Sequence, residues 1–251
     1  MRENYLFGPF VGETTYELNY FVGHAIYLRK RDLRNRIIVL TRKENFDLYG
    51  RYATTMVPLP IDPSMKPKGF SCKKLSVSSY EELVRRFKMK YSKELKIHGH
   101  FYPRLATFLR DLKWYYPRNE IDFDFKTRSI NSKIAKEFIK RNSIISEYHS
   151  DFTKVGGKYV YPLQYILKDI NIEGIPFSSR LGILIEAIRL VKYVHADIDS
   201  ITGRLTMLLK KPLITKRDFI DAKKLNPINP YGSIVIGCTD LLDGIKYLEG
   251  K

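Results

Sequence analysis

The stretch Tyr193-Val-His-Ala-Asp-Ile-Asp-Ser-Ile-Thr-Gly-Arg-Leu-Thr-Met-Leu-Leu-Lys-Lys-Pro-Leu-Ile214 decides the fold. It reads as a short segment, a turn of small polar residues, a helix and a second short strand. The turn, Asp199 to Gly203, falls where the helix begins. Ser200 or Thr202 can cap that helix by accepting from backbone N–H groups that have no partner within it. A helix start with exposed N–H groups favours an anion, because donors and macrodipole act together. Asp199, Ser200, Thr202, Gly203 and Arg204 are therefore candidates for a phosphate site, with Lys211 as a further cation. Gly203 lets a ligand approach the backbone closely. Pro212 restarts the chain as a strand. Taken alone, the stretch is also an ordinary strand–helix–strand unit with a capped helix.

Working outward, the N-terminal run Tyr5-Leu-Phe-Gly-Pro-Phe-Val-Gly-Glu13 is apolar and ends in a glycine turn. A helix is expected from about Thr15 to Arg31. Arg36-Ile-Ile-Val-Leu40 then has the β-branched character of a buried parallel strand. Together these make a βαβ unit. The spacing from Gly8 to Gly12 is not a dinucleotide fingerprint.

Both stretches resemble GT-B glycosyltransferases, the branch that includes heptosyltransferases and short phage enzymes. Thr202-Gly203 stands for that family's Ser-Gly, Leu205 and Leu208 keep the apolar face, and Lys211-Pro212-Leu213-Ile214 closes the segment. Asp199 replaces the usual glycine and Thr206 the usual histidine. At the N-terminus Gly8, Pro9, Gly12, Glu13, Glu17 and Leu18 match the family's opening in order. The resemblance implies an α/β chain of two Rossmann-like domains facing a cleft, with a C-terminal helix crossing back. Residues 1–118 would bind the acceptor and residues 119–251 the nucleotide sugar. It also implies glycosyl transfer from a nucleotide diphosphate sugar such as a UDP-sugar, with no other cofactor required. Glu13 would be the general base and Glu17 the second candidate, or a residue that orients the site.

Composition fits a folded enzyme. Of 251 residues 44% are hydrophobic and 13% aromatic, enough for real cores. No segment approaches the roughly 18 apolar residues of a membrane span. Arg2, Glu3 and Asn4 open directly into a strand, so no signal peptide is visible. Cys72 and Cys238 are expected as free thiols. These features point to a cytoplasmic protein, in the host cytoplasm if phage-encoded.

The net charge of +17, from 44 Lys+Arg against 27 Asp+Glu, suits a polyanionic partner. Much of it clusters in the first half, and Lys66, Lys68, Lys73 and Lys74 fall in a proline-rich loop expected over residues 60–77. These lysines are candidate nucleic-acid contacts. Charge and family resemblance together favour double-stranded DNA as acceptor, through a hydroxymethylated pyrimidine flipped into reach. The alternatives are transfer to a bacterial surface glycan, and a non-catalytic nucleic-acid-binding protein on the same scaffold. Asp122-Phe-Asp124 sits on a strand-like alternation and His98-Gly-His100 is an isolated pair, so the sequence requires no metal.

Further along, a strand is expected near residues 54–59, helices near 79–91 and 101–114, and a strand at 121–125. Helices follow near 132–140, 162–168 and 181–193. Gly156-Gly157 marks a turn, Ser233 to Ile236 a strand, and Thr239 to Leu248 a final amphipathic helix.

Overall fold

The protein is described here from a computed structural model. It describes residues 4–8, 14, 17–58, 85, 95–98, 125, 127, 129–166, 180–216 and 233–250, with backbone alone for residues 19, 20, 44, 95–98 and 180. The chain divides into two compact units, Met1–Pro117 and Arg118–Lys251.

The first unit holds a four-stranded sheet of β1 (Asn4–Phe7), β2 (Arg36–Thr41), β3 (Thr55–Pro58) and β4 (Leu95–His98), in the order β3-β2-β1-β4. Every pairing is parallel. Ile37 to Leu40 are fully buried, as a strand covered on both faces must be. The expected helix after β1 has two parts, a π-helical turn over Glu17–Val22 and the helix α1 over Gly23–Arg31. β2 runs into a short helix, α2 (Phe46–Tyr49).

The second unit holds six strands: β5 (Ile144–Ser146), β6 (Thr153–Val155), β7 (Lys158–Pro162), β8 (Tyr193–His195), β9 (Leu213–Thr215) and β10 (Val235–Gly237). Their order is β10-β9-β8-β5-β7-β6. All neighbours are parallel except β6 and β7. Gly156 and Gly157, both at positive φ, form the two-residue turn that twists β6 back into β7. The helix expected from Pro162 begins one residue later, because β7 runs through Pro162; residues 163–166 are helical and the remainder lies outside the described residues.

Helices α3 (Ser129–Phe138) and α4 (Arg180–Leu190) pack on each other. Helix α5 (Ile201–Leu208) joins β8 to β9. Helix α6 (Leu241–Glu249) is capped by Asp240, whose side chain accepts from the Leu242 N–H, and ends at left-handed Gly250. It was expected to cross back to the first domain. Within the second unit, Leu241 and Ile245 pack on Ile144, Val160, Tyr193 and Ile214 of its own sheet. At its far end Glu249 pairs with Lys158 and Lys192 at 2.7 and 2.8 Å. Among the described residues, no helix is long and apolar enough to cross a membrane.

Candidate functional site at the sheet edge of the second unit

Strand β5 sends the chain towards β7, while its other neighbour, β8, sends it towards β9. Connections leave in opposite directions there, so the carboxyl ends of β5 and β8 flank a crevice. Ligands of open α/β sheets bind at such a switch point. The residues at this edge are Ser146 to His149 after β5, His195 to Asp197 after β8, and Thr215 and Lys216 after β9.

The edge is tied together by its own hydrogen bonds. The Glu147 N–H donates to the His195 carbonyl at 2.9 Å, and the Ala196 N–H to the Ile214 carbonyl at 3.0 Å. The Asp197 N–H donates to Glu147 Oε2 at 2.9 Å. Ser146 Oγ lies 2.8 Å from His149 Nδ1 and 3.1 Å from His195 Nδ1. The Tyr148 ring packs on His195 with centroids 4.6 Å apart, and Lys216 Nζ stands 4.4 Å from the centre of the Tyr148 ring. A pocket of about 350 Å³ opens along the same edge, on the β7 side of β5, lined by Glu147, Tyr148, His149, Ser150, Leu163 and Gln164.

The expected phosphate turn lies at this edge. Ser200 is the cap: its Oγ accepts from the Gly203 N–H at 3.0 Å and donates to the Asp197 carbonyl at 2.8 Å. One of the donors available to an anion is thus already occupied. Asp199 pairs with Arg204, so the positive end of α5 is answered by the chain's own carboxylate. Thr202 is wholly buried, so neither its backbone nor its hydroxyl is open at the turn. Gly203 has a different reason from the expected one: a Cβ there would lie 2.1 Å from the Asp197 carbonyl oxygen. It serves the chain's own close approach rather than a ligand's.

Lys211 is set apart from these residues. It precedes β9, at the amino edge of the sheet, and its Nζ donates to the Val191 carbonyl at 3.0 Å. Lys216, at the carboxyl end of the same strand, is exposed. It is the cation at this edge that the sequence reading did not select.

Burial sets the protonation of the histidines. His195 is held down to about 4, first by desolvation, then by the charges of His149 and Lys216, with Asp240 opposing. Desolvation and Lys216 also lower His149. This has a consequence for stability. Between pH 6.5 and 4 the unfolded chain binds a proton at His195 that the folded chain refuses. The contribution is complete above pH 6.5 and is lost as pH falls, by about 3 kcal/mol at 1.36 kcal/mol per unit. Urea unfolding at pH 7 and pH 4.5 checks it. His195→Asn should flatten the difference; an unchanged slope would remove His195 as its source.

In the first unit Glu17 has no solvent exposure. Its carboxylate accepts from Asn45 Nδ2 at 2.6 Å and from the Tyr49 hydroxyl at 2.8 Å. Burial raises its pKa, opposed first by the Thr41 hydroxyl, then by the Arg42 charge and by these hydrogen bonds. The fully buried Arg42 donates to the Thr14 hydroxyl. Glu17 therefore belongs to a sealed polar network beside the carboxyl ends of β1 and β2. Glu13, Lys66, Lys68, Lys73, Lys74, Asp122, Asp124, His100 and Cys72 lie outside the described residues, as do the helices expected near 79–91 and 101–114, apart from Arg85. Cys238 is a free thiol.

Ser146, Tyr148, His149, His195 and Lys216 were all missed as site residues. Their signal was present but short: Ile144-Ile-Ser146 has the composition of a buried strand, in a run too brief to stand out.

No protein-family model and no curated protein matches the chain. Among solved structures it is similar to a glycosyl transferase of family 9 from Veillonella parvula DSM 2008. The TM-score is 0.53 and the identity 11%, over 100% of this chain and 89% of that one. At that identity the likeness is one of fold, consistent with the α/β, GT-B-type architecture that the two sequence motifs implied.

Proposed function

We propose that the protein is a glycosyltransferase that takes a sugar from a nucleotide diphosphate donor. The observation that carries the reading is the carboxyl edge of the second sheet, where α5 starts after β8, Lys216 follows β9, and a pocket of about 350 Å³ opens between the ends of β5 and β7. In this reading the donor's diphosphate pairs with Lys216, at the carboxyl edge where α5 starts. A departing diphosphate gains from fixed donors and cations there, which stabilise charge as it develops. Glu13 remains the proposed base, on its match to the family's opening motif. The acceptor is proposed to be a hydroxyl on a polyanion, first of all a hydroxymethylated pyrimidine in double-stranded DNA, because the chain carries a net +17. Lys66, Lys68, Lys73 and Lys74 are its proposed contacts.

The test is incubation with hydroxymethylcytosine DNA, and in parallel with a bacterial surface glycan, each with a panel of nucleotide sugars. Products are read by mass spectrometry after digestion. A sugar on the nucleoside supports the DNA reading; a sugar on the glycan moves the acceptor; neither, with every donor, removes the enzyme reading. A nucleoside diphosphate should also raise the melting temperature. Lys216→Ala is expected to weaken that binding about tenfold, as loss of one charge-assisted contact does. Calorimetry with equal affinity in both proteins would displace Lys216 from the site.

A further inference from the structure

Ser146 carries one hydroxyl proton and two lone pairs. Three groups converge on its oxygen: His149 Nδ1 at 2.8 Å, His195 Nδ1 at 3.1 Å and the Tyr148 backbone N–H at 3.2 Å. The amide can only donate, so it occupies one lone pair. The single O–H then serves one imidazole, and the other imidazole must donate its Nδ1–H to the remaining lone pair. The two histidines are therefore held in opposite tautomers.

Burial decides which is which. His195 is 2% exposed and its Nε2 has no partner. A buried N–H without an acceptor is rarer than a buried acceptor left short of a donor. His195 thus keeps its proton on Nδ1 and gives it to Ser146. Ser146 gives its own to His149 Nδ1, which leaves the His149 proton on Nε2. That nitrogen is the one left for the pocket His149 lines.

We propose that Ser146 is a positioning residue that fixes His149 as an Nε2–H donor to this pocket, and that the pocket takes an uncharged, oxygen-bearing group, a nucleobase carbonyl or a sugar hydroxyl. The identity of the ligand rests on the glycosyltransferase reading; the tautomer assignment does not. Among the described residues, no lysine or arginine lines the pocket and Glu147 does, which favours an uncharged group over a phosphate there. Burial first, and then the charge of Lys216, disfavours protonation of both histidines; His149 acts on His195 in the same sense, Asp240 opposes, and the charges of Asp197 and Glu147 act on Tyr148.

The first experiment is nitrogen-15 NMR of the histidine rings in the full-length protein without ligand. His149 is expected as the Nε2–H form and His195 as the Nδ1–H form. Ser146→Ala should turn His149 into a mixture, and Ser146→Thr, which keeps the hydroxyl, should restore it. The second experiment is titration with uridine, adenosine, glucose, xylose and inorganic phosphate. A nucleoside or a sugar should bind, about tenfold more weakly to Ser146→Ala and normally to Ser146→Thr; which of the two binds names the source. The same tautomer at both histidines overturns the assignment, as does a His149 ring indifferent to Ser146→Ala. If Ser146→Ala does not fold, the wild-type and threonine spectra decide. Binding of phosphate alone, or of none of the five, overturns the ligand. Correct tautomers in a protein that transfers no sugar would fell the glycosyltransferase reading and leave the positioning role standing.

Discussion

Gly203→Ala is expected to destabilise the second unit by about 3 kcal/mol or more, at the upper end of what overpacking a rigid contact costs. The added Cβ would stand 2.1 Å from the Asp197 carbonyl oxygen and 3.1 Å from Ile198 Cα. Both are backbone atoms, so neither can swing aside as a side chain would. The turn would have to open. With it would go the bonds from the Ser200 N–H and hydroxyl to that carbonyl, and so the cap on α5. Thermal and urea unfolding of the variant measure the loss. A fall of under about 1 kcal/mol would mean that the close approach relaxes, and that Gly203 is there for a ligand after all. Loss of nucleotide binding in Gly203→Val would not discriminate, because the site and the fold fail together.

Glu17→Ala is expected to cost about 3–5 kcal/mol, the usual penalty for removing one member of a buried charged network. Asn45 Nδ2 and the Tyr49 hydroxyl would lose their acceptor, and the buried Arg42 a nearby negative charge. Glu17→Gln keeps the size but offers one acceptor where the carboxylate has two, so an intermediate loss is expected. The pH dependence follows from the raised pKa. The folded chain holds a proton at Glu17 to a higher pH than the unfolded chain does. Stability from this group is therefore greatest below the ordinary carboxylate value and declines as pH rises through the raised one. Calorimetry across pH 4 to 8 should show that decline in the wild type and not in Glu17→Gln. An alanine variant as stable as the wild type would show that the network is dispensable, and would return Glu17 to the list of acceptor-side carboxylates.

Much of the polar chemistry escaped the sequence because it depends on strand ends. Ser146, His149 and His195 are up to 49 positions apart and meet because β5 and β8 are neighbours in register, Ser146 beside His195. Periodicity finds an element but not its neighbour. Lys211 and Lys216 show the same limit at close range. Both flank β9, but a parallel sheet sends one to its amino edge and the other to its carboxyl edge. The three-residue strands were also hard to read: β5, for one, has too few residues for a period to show.

The sequence by itself determined the local devices. The β-branched run of β2, the polar cap before α5 and the glycine pair between β6 and β7 each act through covalent geometry and near neighbours. Their reasons are written in a few adjacent residues. The tertiary structure alone decided what those devices serve. It made Gly203 a packing glycine, sealed Glu17 among Asn45, Tyr49 and Arg42, laid α6 on its own sheet and gathered two histidines on one serine oxygen. Each of these outcomes depends on which strands pair and what burial then removes from water, and long-range pairing has no signature in a short stretch of chain.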